Sequence, residues 1–143
     1  MKISTKGRYA LRVMIDIAEQ KSDGFIPLKD IAARQEISQK YLEAIMKDLT
    51  KAGILDGHQG KGGGYRLNRE ADGITVFEIL SATEGDLAPI SCLESGAKPC
   101  SRAAECRTLP MWEKFYSLIK DFFEGVTLAD LVGTDRSGDN YVI

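Results

Sequence analysis

The residues best equipped for chemistry are three cysteines, Cys92, Cys100 and Cys106, spaced C-x(7)-C-x(5)-C in a polar stretch that also holds Ser91, Gly96 and Pro99. Thiolates are soft ligands, suited to zinc or to an iron–sulfur cluster. Zinc sites usually bring cysteines in pairs about two to four residues apart. Both gaps here are wider, which favours a loop wrapped around something larger than one ion, a cluster. In a reducing compartment such thiols read as metal or redox groups before they read as a disulfide. The plain alternative is a set of small buried hydrophobes. Clustering in a polar loop, with no cysteine elsewhere, argues against it. No constellation of His, Asp and Ser accompanies the cysteines, so an iron–sulfur redox enzyme or electron carrier is the weakest reading.

A second chemistry lies in the charge distribution. Residues 1–66 hold 12 Lys+Arg against 8 Asp+Glu, net +4, and residues 67–143 hold 7 against 13, net −6, which together give the overall −2. The basic half also carries a pattern that reads DNA, as a phosphate-binding face requires. Leu28, Ile31 and Ala32 recur at helical spacing and form a supporting helix. Ser38 can cap a second helix running from Gln39 to about Ala52, with Leu42, Ile45, Met46 and Leu49 inward. Its outer face holds Gln39, Lys40, Glu43 and Lys47. Two short strand candidates follow, joined by a glycine-rich loop containing His58, Gln59 and Lys61. Helix, turn, helix and hairpin in this order predict a winged helix-turn-helix. Its recognition helix would enter the major groove while the wing reaches phosphates or the minor groove.

The predicted DNA contacts are Lys6, Arg8, Ser38, Gln39, Lys40, Tyr41, Glu43, His58, Gln59 and Lys61. Lys6 and Arg8 lie in the first turn of a helix, where cations oppose the macrodipole and a nearby phosphate would offset the cost; ordinary solvated side chains are the alternative. A bare scaffold is the bland reading of the whole region. A nucleotide loop at Gly60-x-Gly62-x-Gly64 is set aside, because the run opens a strand and lacks a Gly-Lys-Ser/Thr ending.

The fold class expected is mostly α with a small β-hairpin wing, a winged helix-turn-helix domain plus a long C-terminal dimerisation helix. Residues 1–83 form the DNA-binding domain and 84–108 the cysteine loop. Residues 109–132 form the dimerisation helix and a short terminal helix, and 133–143 a flexible tail. The first helix starts after Ser4 or Thr5, and a capping signature at Thr75 and Glu78 starts a short helix to about Ala82. Trp112, Phe115, Ile119, Phe122 and Val126 make a heptad seam whose simplest partner is a second copy across a two-fold axis; packing on the first helix is the alternative. No apolar run approaches the roughly 20 residues of a membrane span, and the start lacks a signal-peptide core. A cytoplasmic protein, without membrane contact, is expected.

With these parts in place, the chain closely resembles the IscR/NsrR/CymR family of bacterial winged-helix transcription regulators over roughly residues 1–132, and the IscR-like iron–sulfur members most. The signatures are Ser4-Thr-Lys-Gly-Arg-Tyr-Ala10, Ile37-Ser-x-x-Tyr-Leu-Glu43, Gly62-Gly-Gly-Tyr65 and Thr127-Leu-x-Asp-Leu131. The resemblance implies a homodimer, a repressor on palindromic promoter DNA. It also implies a [2Fe-2S] cluster on Cys92, Cys100 and Cys106 whose state, set by iron–sulfur, redox or nitric oxide status, alters DNA affinity. A cluster-free branch answers instead to thiol oxidation or to a metabolic-enzyme partner. Three departures stand out. Leu109 occupies the place of the IscR histidine ligand, and Arg8 that of an aspartate used by nitric-oxide sensors. Gln59 replaces a frequent wing arginine. Asp86, Glu94, Ser101, Glu105 or a small exogenous ligand is then left to complete a cluster.

Overall fold

A computed structural model describes residues 1–133, and the expected tail beyond Gly133 lies outside the described residues. Helix α1 (Thr5–Glu19) begins where the Ser4 hydroxyl accepts from the Gly7 N–H at 3.0 Å. It buries Ala10, Val13, Met14 and Ile17. Helices α2 (Leu28–Gln35) and α3 (Gln39–Lys51) form the helical hairpin. Between them Glu36 takes a left-handed φ of +54°, uncommon outside glycine, and Ile37 tucks beneath with its N–H on the Ala32 carbonyl at 3.2 Å. Leu42, Ile45, Met46 and Leu49 of α3 are fully buried, as the spacing predicts.

Strands β1 (Leu55–His58) and β2 (Gly64–Leu67) pair antiparallel, with Leu55 opposite Leu67 and His58 opposite Gly64. The segment before α2 adds an isolated antiparallel bridge to β2. The Ile26 N–H donates to the Tyr65 carbonyl at 2.8 Å and the Tyr65 N–H to the Ile26 carbonyl at 2.9 Å. Gly64 permits that approach: its φ is +149°, and a Cβ there would stand 2.1 Å from the Ile26 oxygen. The wing is therefore tied to the start of the helical hairpin.

Helix α4 (Val76–Glu84) carries the expected capping box between Thr75 and Glu78 and runs two residues past the expected end. Helix α5 (Leu109–Glu124) has no buried residue. Helix α6 (Leu128–Val132) opens on a second capping box, Thr127 with Asp130. It returns to the winged domain, where the Leu128 N–H reaches the Ile74 carbonyl at 2.8 Å and the Leu128 side chain is fully buried in the main core. A smaller cluster of Val76, Leu80 and Leu87 receives Phe123 and Val126. Among the described residues no helix is long and apolar enough to cross a membrane.

Candidate nucleic-acid interface and cysteine loop

The Ser38 hydroxyl accepts from the Tyr41 N–H at 3.1 Å and so starts α3. That start leaves Ser38, Gln39, Lys40, Tyr41, Glu43 and Lys47 all exposed. The faces of α3 and the wing enclose an open groove to which Lys29, Glu43, Lys47, His58, Gln59 and Tyr65 contribute. Lys61 stands exposed at the hairpin tip. Of the predicted contacts, Gln39, Glu43, His58 and Gln59 line this groove, and Ser38, Lys40, Tyr41 and Lys61 are exposed outside its lining. Two differ. Lys6 is half-buried in an ion pair with Asp48 of α3, Nζ to Oδ2 2.5 Å, so its charge is already matched within the protein. Arg8 is exposed, with Nη2 donating to the Thr5 hydroxyl at 3.1 Å.

Several supporting residues escaped the sequence reading. Asp16 is only 3% exposed; it accepts from Arg34 Nη2 at 2.8 Å, Arg34 Nε at 3.0 Å and Gln35 Nε2 at 2.9 Å. This charge-assisted fork clamps the end of α2 to α1, and bonding to Asp16 holds the Arg34 guanidinium more firmly charged than usual. A carboxylate between Val13 and Ile17, on the apolar side of α1, was the available signal. Arg12 reaches the Gln35 carbonyl and lies over the Tyr9 ring, 4.9 Å from its centre. Tyr9 in turn meets Tyr41 edge-on at 5.8 Å. On the wing, His58 stacks on Phe25 at 5.2 Å, and the Arg66 guanidinium lies 4.4 Å from the same ring centre. Nothing local in the sequence marks Phe25, whose role depends on the Ile26–Tyr65 bridge.

In the cysteine loop all three thiols are free; Cys92 and Cys100 are exposed and Cys106 is half-buried. Two single 3-10 turns, Ser91–Leu93 and Ala103–Glu105, break the irregularity. The Arg102 N–H points at Cys100 Sγ, 3.4 Å away, and the Thr108 hydroxyl lies 3.6 Å from Cys106 Sγ. The Thr108 hydroxyl, then the Thr108 and Leu109 N–H groups at the start of α5, hold the Cys106 thiol below its ordinary pKa. In donor type and access these residues fit an iron–sulfur cluster. Among the described residues, however, no three His, Cys, Asp or Glu side chains converge on a single-ion site. Asp86, a candidate for completing the ligand set, already accepts from the Ala88 N–H at 2.8 Å and the Ser95 N–H at 2.7 Å, one bond to each carboxylate oxygen. Glu94, Ser101 and Glu105 are exposed.

A family model described as Rrf2, iron-dependent transcriptional regulator, matches residues 3–134. The chain belongs to the Rrf2 family. It is 38% identical over 132 residues to the HTH-type transcriptional regulator IscR of Aliivibrio salmonicida, covering 92% of this chain and 77% of that one. Among solved structures it is similar to CymR (YrzC), the global cysteine regulator of B. subtilis, with 34% identity and a TM-score of 0.73, covering 94% of this chain and 99% of that one. It is similar to T. potens IscR at 34% identity and a TM-score of 0.67, covering 92% and 86%. The mostly helical winged fold and the resemblance drawn from the four signatures are both borne out. An Rrf2 protein is a DNA-binding transcriptional regulator, not an enzyme.

Along α5 of this Rrf2 chain the exposed apolar residues coincide only in part with the heptad read in the sequence. Val126 packs inward beside Val76, Leu80 and Leu87, and Trp112 and Ile119 are half-buried. Phe115 and Phe122 are exposed, at 40% and 43%, and are joined by Met111 at 53% and Leu118 at 55%. The exposed stripe thus runs Met111, Phe115, Leu118, Phe122. The heptad period was legible; which side of the helix stays open was not, because α5 packs one flank against α4.

Proposed function

We propose that this Rrf2 regulator binds promoter DNA as a homodimer and represses transcription, with its affinity set by a [2Fe-2S] cluster on Cys92, Cys100 and Cys106. The observation that carries the cluster reading is the run of three accessible thiols on the loop joining the winged domain to α5. The exposed apolar stripe of α5 supports a two-fold partner, which would set the spacing of two recognition helices and hence of the half-sites. Lys40, Lys61 and Arg8 meet phosphates in this reading, while Gln39 and Glu43 face base edges; Ser38 and Tyr41 fix the helix start. His58 and Gln59 stand where the wing enters the minor groove. When bound, the cluster supplies a redox-active, charge-bearing cross-link between parts of the loop. Drawing three sulfurs onto one centre requires the loop to close up, and Glu94, Ser101, Glu105 or an exogenous ligand completes the set.

One observation favours a second reading. The thiols do not already converge, and Leu109 replaces a histidine, as suits a cluster-free regulator that answers to thiol oxidation or a metabolic-enzyme partner. Its similarity to a cysteine regulator is in keeping with that.

Anaerobic reconstitution of wild type and each single Cys→Ser variant, with iron and sulfide analysis and operator titration, separates the two. Stoichiometric iron in wild type, lost in the variants, is expected. Wild type without iron, or variants that load as well, overturns the cluster and leaves the thiol-or-partner reading.

A further inference from the structure

Glu84 is the last residue of α4, one step before the segment that leads to the cysteines. Its Oε1 accepts from the Ser4 N–H at 2.8 Å and from the Ser4 hydroxyl at 2.6 Å, across 80 positions of sequence. Ser4 is also the N-cap of α1, whose first turn has no acidic residue. A carboxylate is favourable at a helix N-terminus, and here α4 provides it. Gly7 makes the space: a Cβ at that position would stand 2.2 Å from Glu84 Oε1 and 3.1 Å from its Cδ. Any larger residue evicts the carboxylate.

The same turn of α1 is also held by α3, where Lys6 is paired with Asp48 at 2.5 Å. The loop end of this arrangement is reinforced by Ile3 and Leu11, which pack against the cluster of Val76, Leu80 and Leu87. Gly85, at φ +79°, then turns the chain into the loop. One turn of helix thus bridges the root of the cysteine loop and the element that reads DNA.

We propose that Glu84, docked on Ser4 beside Gly7, is the positioning residue that couples the state of the cysteine loop to α3 through Lys6 and Asp48. The inference rests on the reading that this loop changes state. Two discrete arrangements, carboxylate docked and carboxylate released, give the coupling a physical element that both ends bias. When the loop is drawn together, α4's last turn moves, the Ser4 cap opens, and the Lys6–Asp48 pair loses its fixed base.

The test compares wild type, Glu84→Ala and Gly7→Ala in three forms: free thiols, cysteines alkylated with iodoacetamide, and protein after anaerobic reconstitution with iron and sulfide. Amide hydrogen exchange over residues 4–8 and 39–48 is read together with affinity for a selected operator fragment. In wild type, at least one treatment should alter exchange in both segments and shift affinity on the order of tenfold. In both variants the loop should still take the label, while exchange over 39–48 and affinity stay put. Glu84→Ala carries the test should Gly7→Ala fail to fold. The same response in Glu84→Ala as in wild type overturns the coupling, and so does a wild type unresponsive to both treatments. Iron uptake is scored separately: iron bound without transmission sinks the coupling alone, and transmission on alkylation without iron supports it while sinking the cluster.

Discussion

The winged domain and the segment from the cysteine loop through α5 satisfy themselves in opposite ways. In the first, Met14, Ile31, Leu42, Ile45, Met46 and Leu49 are wholly buried, and even the one buried carboxylate, Asp16, is met by three donors. In the second, α5 has no fully buried residue, its apolar stripe faces outward, and the loop holds together by turn bonds and Asp86. One half is finished inside a single chain, a rigid reading head. The other keeps its apolar and thiol groups available, the composition of a surface that is completed from outside. Under the function proposed above, a self-sufficient reader joined to an unfinished adaptor would let a signal at one end alter the spacing of two readers.

Substitutions that strike one half and spare the other test this contrast. The largest effect is expected at the stripe: Leu118→Glu leaves an isolated carboxylate in a dewatered seam and removes on the order of several kcal/mol of association. Sedimentation should show a dimer for the parent and a monomer for the variant, with unaltered helical content. A dimer of unchanged stability would mean that this stripe is not the seam.

Next comes the clamp inside the reading head. Asp16→Ala removes the acceptor of the Arg34 fork. Arg34 is 38% exposed in its side chain and can hydrate once released, so the loss should be about 1–3 kcal/mol. Urea unfolding measures it; a midpoint identical to the parent's would show the clamp to be dispensable.

Smaller, and confined to DNA binding, are the exposed residues of α3 and the wing. Lys40→Ala and Lys61→Ala should weaken binding on all sequences alike and lower the salt slope by about one per lost contact in each half-site. Glu43→Ala should instead broaden the sites recovered in a selection, since a carboxylate in the groove accepts from cytosine and repels other edges. An unchanged site preference counts against that role.

The smallest effect concerns pH. The bond from Arg69, against a smaller opposing cost of burial, holds the Glu78 carboxyl below its ordinary pKa. A lowered folded-state value means that the stabilisation is complete above the ordinary carboxylate pKa and is lost as pH falls through the lowered one. Glu78 keeps 35% of its side chain exposed, so solvent screening reduces the contribution to a fraction of about 1 kcal/mol. Glu78→Gln should flatten the acid limb of the melting curve by that amount; an acid limb steeper than the parent's would contradict the assignment.

By itself the sequence determined the features that depend on near neighbours. Helical spacing set α1 to α5, and Ser38, Thr75 and Thr127 each capped the helix that followed, because a cap bonds backbone only two or three residues away. The basic first half, the exposed face of α3, the glycine hairpin and the cysteine spacing were legible for the same reason. Tertiary structure alone decided what joins distant stretches. It joined Ile26 to Tyr65, Asp16 to Arg34, and Glu84 to Ser4. It also drew Lys6 toward Asp48, packed Val126 on the second core cluster and left Leu118 exposed. Periodicity states that a helix has an apolar face. Which residues of that face meet the same chain, and which are left for another, is fixed by the angle at which neighbouring helices pack.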